Sequence, residues 1–190
     1  GSINASTNDI GTNWLPSVDL SDRMNMWSSD YRSYQFMHIA TTDPAQMPPV
    51  EKGLTDSLAA IDKGFADYEP MIVNATDQAF WTTNKQEFTA YVDATKGFLE
   101  LSRTNTPESL EAATKMLNDA TPAFDKSTAD MNAWADFNLK SADQAMDGAT
   151  ATFGTAQTLV IVVLVVAVLF AAALGFFLSR GISRNAKVAT

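Results

Sequence analysis

Apolar residues recur along most of this chain at alternating spacings of three and four, which is the period of an amphipathic helix. The first helix is predicted from about Ile3 to Thr42, and its stripe is Leu20, Met24, Trp27, Tyr31, Tyr34 and His38. Prolines in TTDPAQMPP end it, because proline cannot continue a helix. No stretch of strand length alternates with a period of two, so the pattern predicts an all-α protein.

Three more helices are predicted, from about Pro49 to Ile72, from about Asp77 to Arg103, and from Thr106 onward. Thr106 is a suitable N-cap, and Pro122 either kinks the fourth helix or stands near its start. The connections are short, so neighbouring helices should be antiparallel. We therefore predict an antiparallel up-down four-helix bundle, packed more weakly after Trp134, where the fourth seam loses its large apolar side chains.

A long apolar run follows the bundle. Leu159 to Leu178 is 20 residues without a charge, and at about 1.5 Å per residue it spans roughly 30 Å, the thickness of a bilayer's hydrocarbon core. A buried core helix is the alternative. The basic residues after it (Arg180, Arg184 and Lys187) place the C-terminal tail in the cytoplasm by the positive-inside rule.

These observations predict three regions. Residues 1–156 form a four-helix bundle outside the membrane, residues 157–178 form a transmembrane helix continuous with the fourth helix, and residues 179–190 begin a cytoplasmic segment. Gly1-Ser2 resembles a tag-cleavage scar. Because an exported domain needs an export signal, we expect an earlier apolar segment in the native protein.

The amino-acid composition limits the kinds of catalytic and metal sites that the chain can form. The chain has no cysteine and one histidine, so thiolate catalysis and cysteine or multi-histidine metal sites are excluded. Residues 1–178 hold 22 acidic and 10 basic residues, a charge of −12, which disfavours nucleic-acid binding. No phosphate-binding loop, zinc motif or catalytic triad pattern is present. The chain is predicted to be no enzyme and to need no metal or cofactor.

The stretch RMNMWSSDYR offers candidate binding residues, since it holds Arg23 and Arg32. Nine residues correspond to about 900° of helix, so the two arginines lie on roughly opposite faces. A guanidinium fork matches a carboxylate, and the Tyr31 hydroxyl can assist. Counting from the distal tip of the bundle places Asn118 and Thr121 near the height of Arg32. We predict a site for a small organic acid or amino acid; the alternative is a solvated, ion-paired helix face.

The chain as a whole resembles the four-helix-bundle sensor domain of methyl-accepting chemotaxis proteins. The resemblance rests on helix order, on NWLPSV and DYEPMI, and on SRGISRNAKVAT, which looks like the opening of a HAMP domain with Asn185 where proline is common. RMNMWSSDYR resembles the ligand-binding stretch of aspartate-sensing members, in which three arginines stand. Arg23 and Arg32 match the outer two, and Ser28 replaces the middle one.

This resemblance implies a bacterial inner-membrane receptor with a periplasmic sensor and a homodimeric state. It implies that one of the two arginines faces its own bundle and the other reaches toward the partner subunit, although related sensors bind carboxylates within one bundle. Ligand binding would shift the fourth helix and act through the membrane on a HAMP domain and a kinase-controlling coiled coil. Two alternatives remain open: the input domain of a sensor histidine kinase, and a membrane-tethered structural bundle that binds a protein partner.

Overall fold

A computed structural model describes residues 8–186, with side chains as far as residue 176. These residues are almost entirely helical and contain no strand, which confirms the predicted all-α class. The α-helices are α1 (Leu15–Ala40), α2 (Met47–Tyr68), α3 (Ala75–Ala94), α4 (Phe98–Thr104), α5 (Pro107–Asp119) and α6 (Thr121–Ala186). A π-helical turn, Ile10–Trp14, precedes α1, and 3-10 turns (Pro44–Gln46 and Glu69–Met71) flank α2.

Local sequence explains where these helices start. The Asn74 side chain caps α3 by accepting hydrogen bonds from the backbone N–H groups of Thr76 and Asp77. Thr106 caps α5 in a capping box with Ser109, and Pro107 fills the first turn, where no intrahelical donor is needed. The N-cap predicted at Thr106 is therefore confirmed. The first predicted residues, Ile3 to residue 7, lie outside the described part of the chain.

The third rod of the bundle is interrupted, and the predicted unbroken helix from Asp77 to Arg103 is wrong at this point. It consists of α3 and α4, separated at residues 95–97. Gly97 has φ +90°, a conformation that glycine reaches at little cost and that ends an α-helix. The interruption is a backbone feature, which the hydrophobic period cannot reveal.

The fourth rod is also in two parts, α5 and α6, which meet at Ala120. Pro122 is the second residue of α6, so of the two positions allowed by the sequence it stands near a helix start. The interruptions of the third and fourth rods frame one surface cavity of about 410 Å³, whose lining includes Ala94, Leu101, Met116 and Ala120.

Two apolar clusters form the interior of the compact unit of residues 8–144. The larger is built around Met24, Ile61, Phe65, Tyr91 and Trp134. The smaller, toward the α4 and α5 end, contains Leu54, Phe98, Ala113 and Leu117. The predicted seams of the second and fourth helices supply much of this core.

The buried line of α1 differs from the predicted one. Its fully buried residues are Ser17, Ser21, Met24, Ser28, Gln35 and His38. The predicted aromatic positions Trp27, Tyr31 and Tyr34 are only half-buried. The centre of the α1 seam is therefore mostly small or polar, while its aromatic side chains flank that centre.

Residues 145–186 belong to a second compact unit. Helix α6 includes an apolar stretch with a mean hydropathy of 3.2, which is long and apolar enough to cross a membrane. No other helix among the described residues combines this length with this hydropathy. Large side chains from Leu159 to Phe176 are exposed, none of that stretch being buried. Among the described residues this stretch is therefore a candidate membrane span and is not packed as a buried core helix.

Candidate functional site

Arg32 is the best-placed of the predicted binding residues. It lies on α1, is half-buried, and its Nη2 donates to Oγ1 of Thr121, the first residue of α6, at 2.7 Å. Its Nη1 donates to the hydroxyl of Tyr91 on α3 at 3.4 Å. One side chain thus bridges three rods of the bundle, and the predicted proximity of Arg32 and Thr121 is confirmed.

Aromatic rings surround the guanidinium. Its central carbon lies 4.5 Å from the ring centre of Phe124, 5.2 Å from that of Phe36 and 5.8 Å from that of Tyr91. These distances fall within the range of cation–π attraction. The rings hold the planar fork in place without neutralising its charge.

A chain of hydrogen bonds continues from Arg32 into the core. Tyr91 donates to Oε1 of Gln35, and Nε2 of Gln35 donates to Oγ1 of Thr95 at 3.1 Å. Tyr91, Gln35 and Thr95 are all buried. Burial raises the pKa of Tyr91 to about 12, against the opposing effect of Arg32, so the phenol stays protonated at neutral pH. This chain of hydrogen bonds runs from the start of α6 to the interruption in the third rod.

Arg32 has no acidic partner within the described residues. Both of its hydrogen-bond partners are neutral hydroxyls, and no carboxylate oxygen lies within 4.0 Å. The other two arginines with described side chains are ion-paired, Arg23 with Asp19 and Arg103 with Glu51. A guanidinium offers five N–H donors, of which two are used here. The site therefore presents an uncompensated positive charge with free donors, a feature suited to an anion.

Tyr31 contributes to an adjacent cavity. Its ring makes edge contacts with Phe88 and Tyr91, at centroid distances of 6.2 and 6.3 Å, and burial raises its pKa. The cavity, of about 290 Å³, is also lined by Thr95, Lys96 and Gly97 at the interruption in the third rod. Tyr31 thus lies next to Arg32 in sequence but lines a cavity in which Arg32 takes no part.

The remaining two predicted residues are not drawn into this arrangement. Asn118 is exposed on α5 and makes no hydrogen bond to Arg32. Arg23 is 55% exposed, and its Nε donates to Asp19 Oδ1 at 3.0 Å within α1. Arg23 therefore takes the solvated, ion-paired arrangement within this chain, while Arg32 takes the inward one.

Sequence reasoning missed Gln35 and the two phenylalanines at Arg32, Phe36 and Phe124, as site residues. Gln35 follows Ser28 by one heptad, so its burial has a periodic signal, but a search for apolar residues overlooks a polar line. No group of three potential metal-ligating residues occurs among the residues that the structure describes.

A helical bundle with one rod that includes an apolar stretch of bilayer length is the architecture of a membrane-associated sensory module. Residues 1–153 match the family described as "Four helix bundle sensory module for signal transduction", and the chain belongs to this family. It is a module of signal-transduction proteins of the chemoreceptor kind, typically non-enzymatic.

One curated relative is a "Putative sensory transducer protein" from Acetivibrio thermocellus. It is 26% identical over 151 residues, which cover 80% of this chain and 27% of the relative. The chain thus spans about a quarter of the length of that relative.

Proposed function

We propose that this chain is the periplasmic ligand-sensing domain of a transmembrane chemoreceptor and that it binds a small organic acid or amino acid through Arg32. The observation that carries the proposal is the half-buried guanidinium, whose partners among the described residues are all neutral. Removing a charge from water is costly unless it is paired. A ligand carboxylate would supply the missing partner and occupy the free donors of the fork.

The position of Thr121 suggests how binding reaches the rest of the receptor. Its hydroxyl is at the first residue of α6 and accepts from Arg32. A carboxylate that draws the guanidinium toward itself weakens this bond and favours a different position of the start of α6. A ligand shifts such an equilibrium only by binding one arrangement better than the other. Helix α6, continuous to Ala186, would carry the change toward the cytoplasm.

Topology and assembly complete the proposal. The basic residues after the apolar run support a cytoplasmic tail, in a bacterial inner membrane, with the bundle in the periplasm. Three exposed apolar residues of α1, Leu15, Met26 and Met37, are spaced by 11 residues, or about three turns, and share one face. This face supports a homodimer in which α1 meets its counterpart and Arg23 faces the partner subunit.

Isothermal titration calorimetry with a panel of dicarboxylates and amino acids tests the binding step. We expect Arg32→Ala to weaken binding of a hit by about 1.5–3 kcal/mol, the typical value of a hydrogen bond to a charged group. Arg32→Lys should recover only part of this, since an ammonium lacks the planar fork. Arg103→Ala is the matched control, because that arginine is already paired with Glu51.

Two results would contradict the proposal. Unchanged affinity in Arg32→Ala would remove Arg32 from the site. The absence of any hit among acids and amino acids, also by thermal shift, would favour a bundle that binds a protein partner. A bound ligand at 100 times its Kd should stabilise the domain by about 2.7 kcal/mol, an effect that is readily detected.

A further inference from the structure

A second polar cluster lies in the bundle core, away from Arg32. The carboxylate of Asp77, at the start of α3, is 1% exposed. Its Oδ1 accepts from the hydroxyl of Tyr68 on α2 at 2.8 Å and from Nε1 of Trp134 on α6 at 3.1 Å. The backbone N–H of Val73 approaches its Oδ2 at 3.4 Å. Within the described side chains, no lysine or arginine pairs with this buried acid.

The cluster extends to the first rod through Asn138. The Tyr68 hydroxyl lies 2.8 Å from Oδ1 of Asn138 on α6. Nδ2 of the same amide lies 3.2 Å from Oγ of Ser21 and 3.4 Å from the carbonyl oxygen of Ser17, both on α1. All four rods therefore meet in one hydrogen-bonded layer, and every side chain in it is at most 1% exposed.

This layer corrects one sequence expectation. The seam of the fourth helix was predicted to pack weakly after Trp134, because Asn138 replaces a large apolar residue. Asn138 is instead fully buried and bonded to two other rods. The polar contact between rods, and not apolar bulk, holds α6 at this level.

We propose that this layer, Ser21, Tyr68, Asp77 and Asn138, is a register lock that sets the axial position of α6 in the bundle. Apolar contacts tolerate sliding, since one methyl group can replace another. A hydrogen bond of 2.8 Å is lost when its atoms separate beyond about 3.5 Å, and a buried polar group without a partner costs about 1–3 kcal/mol. A single buried polar position is known to specify register in helical assemblies.

The side chains of α1 that flank this level add little to the axial register. On α1 the buried line flanking this level is mostly serine, at Ser17, Ser21 and Ser28, and small side chains interlock weakly with a facing helix. Trp134 packs against Tyr68 with ring centroids 4.3 Å apart and the ring planes tilted by 55°, and its Nε1 belongs to the same layer through the bond to Asp77. On the α1 side, the lock thus supplies axial specificity that the small serine side chains do not. Its link to signalling rests on the proposed function; its effect on register does not.

Distance measurements between spin labels test this directly. The chain has no cysteine, so single cysteines at the exposed positions Ala59 on α2 and Asp136 on α6 can be labelled. Tyr68 faces Asn138, which puts the two labels about seven residues, or about 10 Å, apart in height. An axial shift of α6 therefore changes their separation. The whole chain is used in detergent, diluted with unlabelled chain to suppress distances between subunits.

The decisive variant is Tyr68→Phe, which deletes one oxygen and keeps the ring against Trp134. We expect its distance distribution to broaden, or its mean to move by somewhat less than about 1.5 Å, the rise of one residue, because the labels are also separated across the bundle. Asn138→Leu should act in the same way. Asn25→Ala is the matched control: it deletes the exposed bond between Asn25 and Asn132, at 2.6 Å, which also joins α1 to α6. Its distribution should stay that of the parent.

The outcomes separate the lock from a merely stabilising contact. A change in Tyr68→Phe without a change in Asn25→Ala supports the lock. An unchanged distribution in Tyr68→Phe, even with a lower Tm, overturns it, as does equal broadening in the control. If Asn138→Leu does not fold, Tyr68→Phe decides alone. Because no ligand is added, a negative result leaves the ligand-binding proposal intact, and failure to bind acids leaves the lock intact.

Discussion

The contact between α1 and α2 makes an unusual prediction at Gly53, in the interior of α2. Alanine at an open helix position normally stabilises a protein by about 0.5–1 kcal/mol relative to glycine. A Cβ built on Gly53, however, would lie 2.4, 2.5 and 2.7 Å from three ring carbons of Tyr34. Either the half-buried Tyr34 ring must turn away from α2 or the two helices must separate locally, since the whole ring has to move.

The two effects can be compared in magnitude. Overpacking costs about 1–3 kcal/mol and exceeds the gain in helix propensity, so Gly53→Ala should destabilise the bundle by about 1 kcal/mol. For a chain of this size, that lowers Tm by about 2–4 °C. Gly64→Ala should be milder, since the nearest atoms are Cγ and Sδ of the flexible Met24, at 2.7 and 3.0 Å.

Thermal unfolding of the whole chain in detergent, followed by circular dichroism at 222 nm, measures this loss. The double variant with Tyr34→Ala is the critical comparison. Once the ring is gone, Gly53→Ala should become stabilising, giving an interaction energy of at least about 1.5 kcal/mol in the mutant cycle. If Gly53→Ala raises Tm in the parent chain, or lowers it equally in both backgrounds, the close packing of α1 on α2 at Tyr34 is refuted.

Three further predictions concern helix ends and the bundle tip. Hydrogen bonding from Arg103 lowers the pKa of Glu51 to about 2 from its ordinary 4.5. The resulting stability is present above pH 4.5 and is lost as the pH falls toward 2. The change of Tm with pH over this window should therefore be flatter in Arg103→Ala. Equal slopes would exclude the ion pair as the cause. Gly97→Ala meets open space but holds φ +90°, so strain alone should cost about 1–2 kcal/mol; an unchanged Tm would show that the turn relaxes. Asn74→Ala removes an N-cap and should cost about 1 kcal/mol by urea unfolding, whereas Asn74→Asp should retain most of the stability.

The helical period alone predicted most of the fold. Spacings of three and four on the second and fourth segments, prolines between segments and the charge-free run after residue 158 each report local geometry, which depends on neighbours in sequence. For the same reason, counting residues from the bundle tip brought Arg32 and Thr121 to one height, and the structure joins them at 2.7 Å.

The buried residues of the first rod could not be predicted from the helical period. Ser17, Ser21 and Gln35 are buried because of what faces them from other rods, and polar residues carry no hydrophobic signal. The sequence gives no sign that Asp77 is buried, yet Tyr68 and Trp134 enclose it with donors. The break at Gly97 could not be predicted either, since a glycine in a helical pattern does not by itself indicate a positive φ.

The sequence by itself determined the number and order of the rods, the apolar span and the two candidate arginines, because periodicity, length and charge are properties of consecutive residues. Tertiary structure alone decided which arginine faces inward, that it lacks an acidic partner, and that a polar layer ties α6 to the other three rods. Those facts depend on the register between distant segments, which no local pattern encodes.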